Sequence, residues 1–169
     1  RDLVRSRGLG DVYKRQVAYS TKDLEATRHF YEDLFGFPLV NTEFHDREDG
    51  WIKHVFFDSG NGQCIAFFAF ENIGERSDWT TDVSESLGVP VFINHAAFEA
   101  TEEMQESVRA RMEAEGIQPT MEIDHGWCYS LYYLDPNQVL VELCRDTKGM
   151  PINKKEAARL LVAPTATSA

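Results

Sequence analysis

Residues 17–37 read VAYSTKDLEATRHFYEDLFGF. A short β-prone run, Val17–Ser20, passes directly into a helical pattern. Leu24, Thr27, Phe30, Tyr31 and Leu34 recur at the spacing that puts one helix side into a core. Ser20 or Thr21 can cap the start, with Asp23 placed for a capping box. Gly36 suits the left-handed position beyond the last turn. The stretch therefore opens a β-α-β unit, with Phe37 beginning the next strand.

Working outward, Phe37–Phe44, Trp51–Asp58 and Gln63–Phe70 read as strands. The turn signals His45–Gly50 and Ser59–Gly62 separate them. Residues 17–73 thus spell β-α-β-β-β. A polar connector with Gly74, Gly88 and Pro90 follows, over 74–90; its length suits a functional lid or a module linker. The same order then returns over 91–146. Val91–Glu99 is a strand. Thr101–Glu115 is a helix with Met104, Val108 and Met112 on one face and Gly116 as its stop. Ile117–Ile123, Trp127–Leu134 and Val139–Cys144 are strands, separated by Asp124-His125-Gly126 and Asp135-Pro136-Asn137. Gly36 and Gly116 stand 80 residues apart, and Asn61-Gly62 precedes Asn137-Gln138 by 76, which marks an internal repeat. In the tail, 147–169, Asn153 can cap a short helix through Leu161, with disorder expected over Pro164–Ala169. The fold class is α+β: two βαβββ modules pairing into a curved, cup-like mixed sheet around a central cavity.

Composition agrees. With 169 residues, 43% of them apolar, the chain can fill one core or two repeats that share one. Seventeen basic residues against 28 acidic ones give a net charge of −11, which argues against a nucleic-acid partner. No apolar run reaches the roughly 18 residues of a membrane span, and no signal peptide is visible. Cys64, Cys128 and Cys144 form no CxxC pair, which suits a reducing, cytoplasmic setting. No P-loop, GxGxxG or GxSxG supports nucleotide binding or serine hydrolysis. Residues 1–16, RDLVRSRGLGDVYKRQ, carry five basic and two acidic side chains without a sustained period. They read as a leader foreign to the fold, similar to translated adapter sequence; a basic mobile tail is the alternative.

Alternation sends every second strand residue toward the cavity, where polar groups need partners. His95 interrupts a mostly apolar strand, and Glu142 lies inside Leu140-Val141-Glu142-Leu143. A carboxylate there asks for a positive partner or a metal. The plain alternatives are a hydrogen-bonded core imidazole and a solvent-facing carboxylate. His125, at a strand mouth, titrates near neutrality and can move protons, or is a surface turn residue. His54 either faces the first-half cavity or bonds across strands. His29 reads as a solvated helix residue and His45 as a loop residue. Phe56, Phe67, Phe68, Phe70, Phe92 and Phe98 supply core bulk, a few of them lining an apolar pocket. Cys128 and Cys144 read as buried fillers rather than nucleophiles.

The layout, the opening phrase, INHAAF at 93–98 and HGWCYSLYYLDPNQVLVEL at 125–143 resemble the vicinal oxygen chelate superfamily over about residues 16–146. That group includes glyoxalase I, type I extradiol dioxygenases, fosfomycin resistance proteins and bleomycin-binding proteins. The resemblance implies four metal slots, which map to Gln16, Ala66, His95 and Glu142. Ala66 cannot ligate, and Gln16 stands where a His is usual. Two His and one Glu would suit Fe(II), with Mn(II) or another divalent ion possible. Weak metal binding or none is expected with Gln16 in place. The resemblance also implies that Tyr132 meets a substrate oxygen, unless it is one barrel aromatic among Tyr129 and Tyr133, with His125 assisting proton movement. The implied activity is extradiol-type ring cleavage of a catechol-like or other vicinal-oxygen molecule. Alternatives are a non-catalytic small-molecule binder of the bleomycin-resistance kind and a glyoxalase-like isomerase or lyase. A homodimer is implied as well.

Overall fold

The computed structural model describes residues 15–164. Most of the leader (1–14) and the last five residues, where disorder was expected, lie outside the described residues. Arg15 and Gln16 belong to the first strand.

Eight strands and four α-helices follow in this order: β1 (Arg15–Ser20), α1 (Leu24–Arg28), β2 (Leu39–Arg47), β3 (Gly50–Gly60), β4 (Gln63–Glu71), α2 (Val83–Leu87), β5 (His95–Glu99), α3 (Glu102–Ala114), β6 (Met121–Asp124), β7 (Cys128–Leu134), β8 (Leu140–Asp146) and α4 (Lys154–Leu161). Helix α1 continues without a break as a wider π-type stretch, His29–Leu34. Its cap is Asp23, not Ser20 or Thr21: the Asp23 carboxylate accepts from Ala26 N at 2.9 Å. Thr21 instead bonds Thr27, inside the fold. Gly36 and Gly116 take φ of 76° and 74°, the left-handed region that stops both helices as expected.

The sheet orders are β1-β4-β3-β2 and β5-β8-β7-β6, with β1–β4 and β5–β8 parallel and the other pairs antiparallel. The α+β class and the repeated module are therefore present. The two mixed four-stranded sheets fit the expected pairing of two modules, and they are not closed into one continuous sheet. Three local expectations change. Val91–Ile93 is a 3-10 turn, because Pro90 has no N–H for a ladder and its carbonyl accepts from Ile93 N at 3.0 Å. Ile117 closes α3 by donating to the Met112 carbonyl at 2.9 Å, which delays β6 to Met121. His45 lies in β2, opposite Ile52, because the β2–β3 hairpin extends through Arg47.

One core joins both modules. Ile65 and Phe67 of β4, Val55 and Phe57 of β3, Leu131 and Tyr133 of β7, and Val141 and Leu143 of β8 share it with Phe30, Tyr31, Val108 and Met112 of the helical segments. Phe37 meets Phe98 edge-on at 5.3 Å between ring centres, and Phe35 meets Tyr133 at 6.0 Å. Phe92, expected as bulk, is 52% exposed, since the 3-10 turn carries it off the strand. Alternation leaves the opposite faces to Gln16, Ala18, His54, Phe56, Ala66 and Phe68 on one sheet. On the other they carry His95, Ala97, Ser130, Tyr132 and Glu142.

A polar bridge also crosses the modules. His29 Nδ1 lies 2.8 Å from Asp33, and Nε2 lies 2.9 Å from Glu115 beyond α3. The Glu115 hydrogen bond, then that of Asp33, raises the His29 pKa above its ordinary 6.5. A raised folded-state value adds stability below pH 6.5 that disappears as pH climbs through the folded value. The side chain is 48% exposed, so about 0.5 kcal/mol is expected. Urea midpoints at pH 6 and pH 8.5 should separate the parent from His29→Ala at the lower pH only.

Candidate metal centre

Parallel pairing in each module makes the strand positions comparable. In β1–β4, Ala18 pairs with Ala66, and Gln16 stands two residues before Ala18. In β5–β8, Ala97 pairs with Glu142, and His95 stands two residues before Ala97. Gln16 and His95 are thus equivalent by register, as are Ala66 and Glu142. In the antiparallel pairs, Phe56 opposes Ala66 just as Tyr132 opposes Glu142. His54 and Ser130 likewise oppose Phe68 and Cys144.

The second module brings its polar members together. His95 Nε2 lies 3.2 Å from Glu142 Oε2. His95 Nδ1 lies 2.9 Å from the Phe92 carbonyl. A carbonyl only accepts, so Nδ1 carries the proton there. The remaining nitrogen then faces the buried Glu142 carboxylate, an arrangement in which both groups can donate to a cation. Ser130 Oγ donates to Glu142 Oε1 at 2.5 Å and orients the carboxylate. Tyr132, directly across the ladder from Glu142, places its hydroxyl 3.2 Å from His125 Nε2. Its ring meets His95 edge-on at 6.1 Å. Burial raises the Tyr132 pKa above 10.0, opposed by the Ser130 hydrogen bond and reinforced by the Glu142 charge, so the phenol keeps its proton near neutrality.

His95, Glu142, Tyr132 and His125, all singled out from sequence, therefore form one cluster. Ser130 was missed; its place two residues before Tyr132, on the same strand face, was the available signal. Gln16 is not in the cluster. It lines a groove of about 290 Å³ with Cys64, Ala96 and Ala97, between β1 and the strand that carries His95. Ala66 is fully buried beside Phe56 and Cys64. Among the described residues no group of three or more His, Cys, Asp or Glu is placed to hold a metal.

His54 does not join the cluster either. It stacks on Phe68 at 3.8 Å and lies 3.9 Å from Phe56, ring centre to ring centre, with Nε2 buried and unpartnered. Burial holds its pKa below 6.5 against the opposing Glu43 charge, so it is a neutral aromatic filler. Cys144 is pushed up to about 11, first by burial, and Cys128 is buried, which fits fillers rather than nucleophiles. A second cavity, about 490 Å³, lies on the first module's open face and is lined by Ala18, Ile52, Phe68, Phe70, Ile73 and Val83 among others.

Two repeated modules, the second carrying a polar cluster on its strands, fit a vicinal-oxygen-chelate architecture. A sequence profile of the Glyoxalase/Bleomycin resistance protein/Dioxygenase superfamily matches residues 15–143, and the chain belongs to that family. Among curated proteins no sequence match is found. Several solved structures are similar. A glyoxylase/bleomycin resistance protein/dioxygenase domain from Frankia sp. EAN1pec aligns at a TM-score of 0.56 and 14% identity, over 78% of this chain and 95% of that one. A lactoylglutathione lyase from Agrobacterium tumefaciens aligns at 0.51 and 23%, over 78% and 92%. A variant of the fosfomycin resistance protein FosX from Listeria monocytogenes, complexed with Mn(II) and 1S,2S-dihydroxypropylphosphonic acid, aligns at 0.51 and 21%, over 90% and 98%. At these identities the likeness is one of fold. Among the described residues no helix is long and apolar enough to cross a membrane.

Proposed function

We propose that the chain is a divalent-metal enzyme acting on a small molecule with two neighbouring oxygens. The carrying observation is the His95–Glu142 pair, whose free imidazole nitrogen and buried carboxylate meet at 3.2 Å while their outer atoms are tied to Phe92 and Ser130. Such outer-shell tethering is how metal ligands are oriented. His95 and Glu142 would hold the ion, with residue 16 as the third position. A bound Fe(II) or Mn(II) would lower the pKa of a substrate hydroxyl and hold its oxygens in place. Tyr132 binds one substrate oxygen through its hydroxyl. His125, 3.2 Å from that hydroxyl, accepts or returns a proton through it. Ring cleavage of a catechol-like substrate, with O2 as co-substrate supplying both inserted oxygen atoms, is the reaction we assign to this arrangement. The neutral Ala66 position leaves the coordination sphere open for it.

The test is the thermal midpoint with Mn(II) added and then chelated. A ligand bound only by the folded chain raises the midpoint. The parent should show a small, chelator-reversible rise that Glu142→Gln abolishes. An unchanged rise in Glu142→Gln would refute the assignment. The apolar 490 Å³ cavity favours a second reading, a metal-free binder of apolar molecules, for which ligand uptake would ignore chelator.

A further inference from the structure

The chain leaves β4 through two left-handed residues, Asn72 (φ 54°) and Gly74 (φ 82°). It is fixed again at Asp82, which caps α2 by accepting from Glu85 N at 2.8 Å. Between those ends every residue is exposed except Ile73, Trp79 and Thr81. A segment with so few buried contacts opens at low cost.

Trp79 is its latch. The indole lies on Phe70 at 4.6 Å between ring centres, with 24° between the planes. Lys22 Nζ sits 4.5 Å from the indole centre and donates to the Trp79 carbonyl at 2.5 Å. Beside this latch, Phe70 and Ile73 line both the 490 Å³ cavity and a neighbour of about 440 Å³ that also takes in Glu75, Arg76 and Trp79. The two therefore adjoin at the Phe70–Trp79 stack, and their size suits a small molecule. Neither is lined by His95, Glu142, Tyr132 or His125.

The latch also describes what could replace it. Phe70 already takes a flat ring, and the Lys22 ammonium already takes an oxygen. Asp23, next to Lys22, is engaged with Ala26 N at 2.9 Å, and Asp78, next to Trp79, is engaged with Arg76 at 2.9 Å. Once Trp79 leaves, the charge of Lys22 is thus open to an anion from solution.

We propose that residues 73–81 are a lid over a second ligand site, which takes a flat aromatic molecule carrying a carboxylate in exchange for Trp79. The ring replaces the indole on Phe70, the carboxylate replaces the Trp79 carbonyl at Lys22, and the rest of the molecule enters the cavity past Ile73. The site is independent of the metal reading, and it gives the apolar cavity of the metal-free reading a defined ligand class.

Calorimetric titration of the full chain with naphthoate tests this. Trp79→Ala should bind naphthoate at least about threefold tighter than the parent, because the competing indole is gone. Adding Lys22→Met to Trp79→Ala should weaken naphthoate about tenfold and leave neutral naphthalenemethanol nearly unchanged. Cyclohexanecarboxylate, which has no flat ring, should bind more weakly than naphthoate. Chelator and Glu142→Gln should change none of these affinities. Naphthoate that fails to bind even Trp79→Ala, or that binds it more weakly than the parent, would overturn the lid. Naphthoate binding lost with chelator or in Glu142→Gln would overturn the second site and move the ligand to the metal centre.

Discussion

Asp135→Ala is expected to cost about 3 to 5 kcal/mol of folding stability. Asp135 is 2% exposed and sits in the β7–β8 turn, yet its partners span both modules. Oδ1 accepts from Asn137 N at 2.8 Å and Val139 N at 2.7 Å. Oδ2 accepts from the fully buried Tyr31 hydroxyl at 2.9 Å and from Asn137 Nδ2 at 3.2 Å. Asn137 Nδ2 also reaches Thr27 Oγ1 at 3.0 Å, and Thr27 bonds Thr21, so one carboxylate anchors the second module's turn to the first module's helix. Removing it strands donors that water cannot reach, and unmade bonds cost more than made ones contribute. Burial raises the Asp135 pKa, and the four hydrogen bonds oppose that rise, which shows how much the site leans on them. Urea unfolding reads the loss. Asp135→Asn should fall between parent and Ala, since it keeps one acceptor. In a double-mutant cycle with Tyr31→Phe the two losses should be less than additive, because each deletes the same bond. Additive losses would mean that Tyr31 and Asp135 act separately.

The same turn shows where sequence reading reaches and where it stops. Asp135-Pro136-Asn137 was legible as a turn, because its residues favour one. Its role as a joint was not legible, because Tyr31 stands 104 residues away. The modules were readable because each repeats a strand period, a helix period and a glycine stop. Equivalence of positions 16 and 95, and of 66 and 142, was implied by the family resemblance, and the parallel registers agree with it. His95 and Glu142 stood out as polar residues in apolar strands. Ser130 did not, since a strand hydroxyl is ordinary until a carboxylate is found opposite it. Val91–Ile93 misled because an apolar run reads alike as a strand or as a short turn, and only the missing N–H of Pro90 decides. Alternation records which face of a sheet is apolar but not whether two sheets join edge to edge, so that the sheets stay unclosed was not legible.

Gln16→His is expected to raise Mn(II) or Fe(II) affinity at least about tenfold. Gln16 occupies on β1 the register that His95 occupies on β5, and its groove also holds Ala97, the ladder partner of Glu142. A side chain there approaches the strand that carries the existing donors. An amide oxygen offers a neutral, weak donor, whereas an imidazole nitrogen suits these ions well. Calorimetric titration separates the possible causes. If residue 16 completes the centre, Gln16→His gains affinity only while Glu142 is present, so Gln16→His with Glu142→Gln should bind no better than Glu142→Gln alone. A gain that survives loss of Glu142 would mean a new surface site made by the added imidazole. No gain at all would separate β1 from the centre and leave His95–Glu142 as a structural contact. Oxygen consumption with catechol should then appear in the Gln16→His form and stay far lower in the parent, because a donor set of one imidazole and one carboxylate holds the ion too loosely to keep substrate oxygens aligned.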